Sequence, residues 1–186
     1  MAYYSLVASL QTLQIGDEPP FTTEEYIENC AQWVTEREEQ ILRRILLSTP
    51  DIAPCPLCMA WHNIETQLRN AVARQRAQKQ GIDAGEFIQS HDGFSGTIET
   101  LVTDAFTRND PIELEQELDR ARWQLAEELI GQNIFGFEKL LAYGIQLKIT
   151  ERWNRMDPTL GKEKLEQVIT ANTEKEQVVE ETLATT

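Results

Sequence analysis

Residues Trp61 to Gly81 read WHNIETQLRNAVARQRAQKQG. The apolar residues Trp61, Ile64, Leu68, Ala71 and Val72 return at steps of three and four, which places them along one face of a helix. Glu65, Arg69, Arg74 and Arg76 fall mostly off that face. Glu65 lies four residues before Arg69, a favourable orientation for an intrahelical ion pair worth about 0.2–0.5 kcal/mol when exposed, so packing of the apolar face decides the fold of this stretch. Gly81 offers the helix a stop, because glycine enters positive φ at little steric cost. The helix opens near Pro56, after the breaks at Pro50 and Pro54.

Working outward, helical signals dominate both flanks. Thr22 with Glu25 has the spacing of a capping box, and Phe21 with Tyr26 has that of a hydrophobic staple. The helix that starts there is expected to run past Trp33. Thr35 and Glu38 repeat the box, so the segment to Ser48, with Ile41, Leu42, Ile45 and Leu46 on one face, reads as a second helix or as the far half of one bent helix. Tyr3 to Leu13 lacks a clean period and fits a short strand or a helix packed on several sides. Between Ala84 and Thr107 the pattern allows short helices around a His91-Asp92-Gly93 turn, with GFSGT (93–97) read as a turn.

Asp110-Pro111-Ile112-Glu113 combines an acidic N-cap, proline at the first helical position and glutamate at the third. From it an apolar stripe runs through Leu114, Leu118, Ala121, Leu125 and Leu129 to Gly131. A second stripe, Phe137, Leu140, Leu141, Gly144 and Leu147, continues towards Met156. The short link between the stripes predicts an antiparallel helical hairpin. Lys162 to Ile169 can form one more helix, and residues 171–186 form an acidic tail with the composition of a disordered segment. The expected fold is mainly α, a bundle of about six to eight helices. It forms one domain over residues 1–170, with 1–108 and 109–170 as candidate sub-lobes.

The 186 residues carry 17 Lys plus Arg against 31 Asp plus Glu, a formal net charge of −14. Such a chain repels phosphate backbones, which argues against a nucleic-acid partner and against direct contact with anionic lipid. No stretch has the roughly 20 apolar residues of a membrane span, and Met1 to Tyr4 lacks the positive start of a signal peptide, so a cytoplasmic protein is expected. Arg69, Arg74 and Arg76 concentrate positive charge on the organising helix. They are candidate partner-binding residues for an acidic protein surface, against the plainer reading of a solvated helix face.

Cys55-Pro56-Leu57-Cys58, followed by His62, is the one cluster that suggests chemistry. Two thiolates and an imidazole one turn later can grip zinc, with Cys30 or His91 as the fourth ligand, or the pair can exchange disulfides at a helix N-terminus where thiol pKa falls. Against both stands a structural role as small buried hydrophobes. An odd count of three cysteines points to reduced thiols. No P-loop, nucleophile elbow or dinucleotide fingerprint occurs, and two distant histidines do not suggest a Ser/His/Asp triad, so no enzyme activity is expected.

Four stretches carry a resemblance: YYSLVASL (3–10), LRNAVARQRAQKQG (68–81), DPIELEQELDRARW (110–123) and LLAYGIQLKITERWNRMDPTLGKEKL (140–165). Together they resemble an uncharacterised bacterial family encoded beside V-type (archaeal/vacuolar-type) ATP synthase genes. That family is in turn remotely similar to the C/d component of the central stalk of those rotary machines. The resemblance implies a non-catalytic subunit or accessory of a V-type ATPase, with V-type ATPase subunits as partners, no cofactor, and attachment to the membrane through a complex. The CPLC motif lies outside it, and the rival reading is a small cytoplasmic zinc-binding or thiol-redox protein using Cys55, Cys58 and His62.

Overall fold

Two capping boxes set the first helices of the bundle. In a computed structural model of the chain, which describes residues 3–48 and 55–156, the Thr22 hydroxyl accepts from the Glu25 amide at 3.2 Å while the Glu25 carboxylate accepts from the Thr22 amide at 2.8 Å. Thr35 and Glu38 repeat the exchange at 3.3 and 2.8 Å. Each box satisfies donors that the first helical turn leaves unpaired. They open α2 (Thr23–Ala31) and α3 (Glu36–Leu47), after a short α1 (Tyr4–Ser9) that settles the N-terminal segment as helix. Phe21 stacks on Tyr26 at 5.8 Å, closing the staple.

α2 stops at Ala31, short of the expected end beyond Trp33. The Trp33 and Val34 amides both fold back onto the Cys30 carbonyl, at 2.8 and 3.1 Å, and Thr35 then starts a new helix. Trp33 is left exposed.

The organising helix, α4, spans Pro56–Gln80 and ends at Gly81 with φ +68°. A single 3₁₀ turn at Gly85–Phe87 precedes α5 (Gly96–Ala105). GFSGT is therefore half turn, with φ +78° at Gly93, and half helix start. Asp110 caps α6 (Pro111–Glu128) by accepting from the Ile112 amide at 2.9 Å, and α7 follows as Phe137–Asn154. The described residues form seven helices and no strand, a mainly α bundle. No helix among them is long and apolar enough to cross a membrane. The expected helix at Lys162 to Ile169 and the acidic tail lie outside the described residues.

Side-chain pairs give the helix directions. α5 runs with α4, joined by Gln67 to the Ser95 carbonyl (2.8 Å), Arg74 to Glu99 (2.6 Å) and Lys79 to the Phe106 carbonyl (3.3 Å). α6 returns against α4, with Arg76 to Glu115 at 3.3 Å and Arg122 to Glu65 at 3.1 Å. α7 reverses again, pairing Trp153 with Asp119 at 2.9 Å and Gln146 with Glu127 at 3.1 Å, which makes the expected hairpin.

The apolar interior has two parts. Leu68 and Ala71 of α4 meet Ile98 and Val102 of α5 and Leu118, Ala121 and Leu125 of α6. Tyr26, Ile27, Leu42 and Leu46 from α2 and α3 pack with Leu140, Leu141, Ile145 and Leu147 of α7. The hairpin partners α6 and α7 turn their main apolar faces to different parts. α7 is buried nearly all round, with twelve of its eighteen residues inside, so the stripe read from the sequence is one of several faces it covers. Gly144 makes this possible: a Cβ there would stand 2.5 Å from Leu46 Cδ1 and 3.0 Å from Tyr26 Cε1.

Candidate functional site

The CPLC motif forms the start of α4. Cys55 is the N-cap, its Sγ accepting from the Cys58 amide at 3.1 Å, and Pro56 fills the first helical position, where its missing N–H is no loss. N-cap and third helical position lie on one side of the first turn. Their Cα atoms stand 5.2 Å apart, within disulfide reach, and the two sulfurs are joined. This corrects the expectation of three reduced thiols. Cys30 alone is free; it is buried between α2 and α7, and burial pushes its thiol up to about 11, against the opposing pull of a hydrogen bond with Tyr26.

The zinc donors are not gathered. Among the described residues no group of three or more His, Cys, Asp or Glu side chains is placed to hold a metal ion. His62 lies one turn beyond Cys58, exposed. The loop carrying His91 is fastened further along α4, with the Asp92 amide on Asn63 at 3.3 Å, the Ser95 amide on Gln67 at 2.9 Å and the Gln89 amide on Asn70 at 2.9 Å. At a rise of about 1.5 Å per residue, even Asn63 is about 7 Å along the helix from Cys58.

A cleft of about 340 Å³ opens onto the paired cysteines. Ile41 and Phe137 give it an apolar lining, and Arg37, Glu38 and Glu138 are its charged groups. Cys55 faces this cleft; Cys58 does not line it. The bond closes only four residues within one turn, so the chain-entropy model assigns it roughly 2 kcal/mol, and it ties no two elements together.

The three arginines of α4 are found mostly engaged within the chain. Arg74 pairs with Glu99 of α5 and Arg76 with Glu115 of α6. Arg69 reaches only Glu65, at 3.6 Å, and keeps 74% of its side chain in solvent. Beside Arg69 and Arg76 runs a groove of about 530 Å³ lined by Val72, Ala73, Ala77, Leu118 and the exposed Ile82 and Phe87.

A cleft of about 700 Å³ lies where α3, α4, α6 and α7 converge. Arg69, Arg122, Lys148, Arg152 and Arg155 line it, which concentrates positive charge in an acidic protein. All of them but Arg69 are engaged by acceptors of the chain itself. Asp119, 1% exposed, accepts from Arg122 at 2.8 Å, from Arg152 at 3.2 Å and from the Trp153 indole at 2.9 Å. Glu151 accepts from Thr23 at 2.6 Å and Arg155 at 3.0 Å, and Lys148 donates to the Leu46 carbonyl at the end of α3. The cleft's charges thus bind its walls to one another. Sequence reasoning missed Asp119, Arg122, Arg152 and Trp153; the only local signal was the three-residue step from Asp119 to Arg122, common on solvated helix faces.

Compared with known proteins, residues 98–176 match a family model described as a protein of unknown function (DUF2764), a span that takes in most of α5 and all of α6 and α7. It excludes α4 and the CPLC motif. No curated protein and no solved structure matches the chain.

Proposed function

We propose that this chain is a non-catalytic subunit or accessory of a V-type ATPase, a coupling piece that seats a central shaft on a membrane rotor in the manner of the C/d component of the central stalk. The reading rests on the four resembling stretches. Two of them, beginning at Asp110 and at Leu140, fall within residues 98–176 matched by the unknown-function family.

A coupling piece needs a stiff body with separate contact surfaces, and one observation supports this: apolar side chains are exposed at both ends of α4. At its start, Asn133 lines the cleft beside Cys55, and the adjoining Ile134 is exposed, as is Tyr4, whose ring lies 4.7 Å from that of Phe135. At its end stand Ile82 and Phe87 beside the α4–α6 groove. A helix of 25 residues separates the two by about 37 Å at 1.5 Å per residue. Exposed apolar groups rimmed by polar residues are the usual material of protein contacts. Arg69 supplies an available cation beside the second of them.

The test is affinity capture of the tagged, full-length chain from extract of its native cells. V-type ATPase subunits should co-purify, and Ile82→Glu/Phe87→Glu, two exposed positions, should reduce their recovery while the protein stays folded. An eluate without any V-type ATPase subunit would overturn the proposal.

A further inference from the structure

We infer that Cys55 and Cys58 are a thiol–disulfide exchange site that takes its electrons from a dithiol entering the cleft between α3 and α7. The inference goes beyond the ATPase reading and stands on separate residues. Three observations carry it. The sulfurs are joined across a single turn, where the bond ties no two elements together and can open without parting any. Cys55 is the N-cap of a 25-residue helix, with the Cys58 amide already donating to its sulfur at 3.1 Å, so a thiolate there meets a ready donor and the positive end of the helix. Finally, Cys55, only 3% exposed overall, lines the cleft of about 340 Å³ beside Pro56 and Leu57, whereas Cys58 does not line it, which assigns Cys55 as the sulfur to be attacked and Cys58 as the one to leave.

The charged groups around the cleft bear on the thiolate in both senses. Arg37 favours it and Glu138 opposes it. Glu38, kept ionised by hydrogen bonds from the Tyr3 hydroxyl at 2.7 Å and the Thr35 hydroxyl at 2.6 Å, opposes it as well. Buried Cys30 stands outside the exchange, on α2, with its thiol pushed up to about 11 by burial.

The exchange balances in two steps. One thiolate of the dithiol attacks Cys55 Sγ; the Cys55–Cys58 bond breaks, a mixed disulfide forms at Cys55, and Cys58 leaves as a thiolate and takes a proton. The second thiol of the reductant, as its thiolate, then attacks its own partner sulfur in that mixed disulfide and expels Cys55 as a thiolate under the α4 amides. Two electrons and one proton reach the protein, leaving Cys55 as thiolate and Cys58 as thiol; the other proton passes to solvent, and the dithiol becomes a disulfide. A dithiol oxidant's disulfide reverses the sequence.

The oxidised full chain, equilibrated at pH 7 in graded mixtures of reduced and oxidised dithiothreitol without denaturant, should gain two alkylatable thiols reversibly. Cys30 should stay unmodified until the protein is unfolded. Separately, the native Cys58→Ser variant, which exposes a lone Cys55, should react with an aromatic disulfide reagent at least about tenfold faster than native Cys55→Ser, as expected where a helix start activates one thiol of the pair. Resistance of the wild-type bond to dithiothreitol until denaturant is added would overturn the inference even if either variant failed to fold. Equal or reversed rates for the two variants would overturn the assignment of Cys55.

Discussion

Replacing Asp119 by alanine should lower stability by about 3–5 kcal/mol, the range expected when one member of a buried ion pair is removed. Its carboxylate is 1% exposed and holds three donors on two helices. The Trp153 indole loses a bond to a charged acceptor, worth roughly 1.5–3 kcal/mol. Arg122, 21% exposed, loses its 2.8 Å contact but keeps Glu65, so its share falls below the buried-pair range, to about 1–2 kcal/mol. Arg152, 42% exposed, keeps Glu115 and contributes at most about 1 kcal/mol. Urea unfolding at pH 7 should show the midpoint falling with the slope unchanged, and the melting temperature should drop by roughly 10 °C for a chain of this size. Glu117→Ala, which removes two pairs to the exposed Arg108 and Arg120, is the control and should cost about 1 kcal/mol or less. A cycle combining Asp119→Ala with Trp153→Phe should give a coupling of about 1–3 kcal/mol. A loss below about 1 kcal/mol for Asp119→Ala, no larger than an ordinary surface change, would refute the reasoning that this carboxylate joins α6 to α7.

Leu68→Ala, at a fully buried position of the α4–α6 core, should cost about 2–5 kcal/mol by urea unfolding. Gly144→Ala should destabilise by about 1–2 kcal/mol, because overpacking against Leu46 and Tyr26 exceeds the roughly 1 kcal/mol that alanine gains over glycine in a helix; a stabilised variant would show that α2 and α3 can yield. Burial works to raise the Glu38 carboxyl, but hydrogen bonds from Thr35 and Tyr3 prevail and hold it below its ordinary value. Its stabilisation is therefore complete above the unfolded value near 4.3 and is lost as pH falls through the lower folded one, so Tyr3→Phe should flatten the acid limb of a stability–pH curve. Burial, then the bond to Glu38, pushes the Tyr3 phenol up to about 12; that contribution is complete below about pH 10 and lost as pH rises through about 12, and Tyr3→Phe should remove it too. Arg74→Glu/Arg76→Glu should stay folded but lose about 1–3 kcal/mol, more than for unpaired surface arginines, since each new glutamate faces Glu99 or Glu115; circular dichroism melts provide the measure.

Local chemistry was enough to determine the helical class and most helix starts. The boxes at Thr22 and Thr35, the Asp110-Pro111 cap and the Gly81 stop each act over a few residues, so reading neighbours suffices. The same short range explains why CPLC and the α4 arginines could be singled out but not assigned. Whether two sulfurs meet a metal or each other depends on distant ligands, and the fold holds Cys30 in the α2–α7 core and ties the His91 loop further along α4. Arg74 and Arg76 look free on their own helix; their partners Glu99 and Glu115 lie 25 and 39 residues away and arrive only when α5 and α6 pack. Asp119 and α7 make the point most strongly. A carboxylate beside Leu118, and a helix with a modest stripe, are ordinary as sequence; burial is a property of surfaces shared between elements, and only the tertiary structure decided that one would sit under two arginines and a tryptophan and the other at the centre of the bundle.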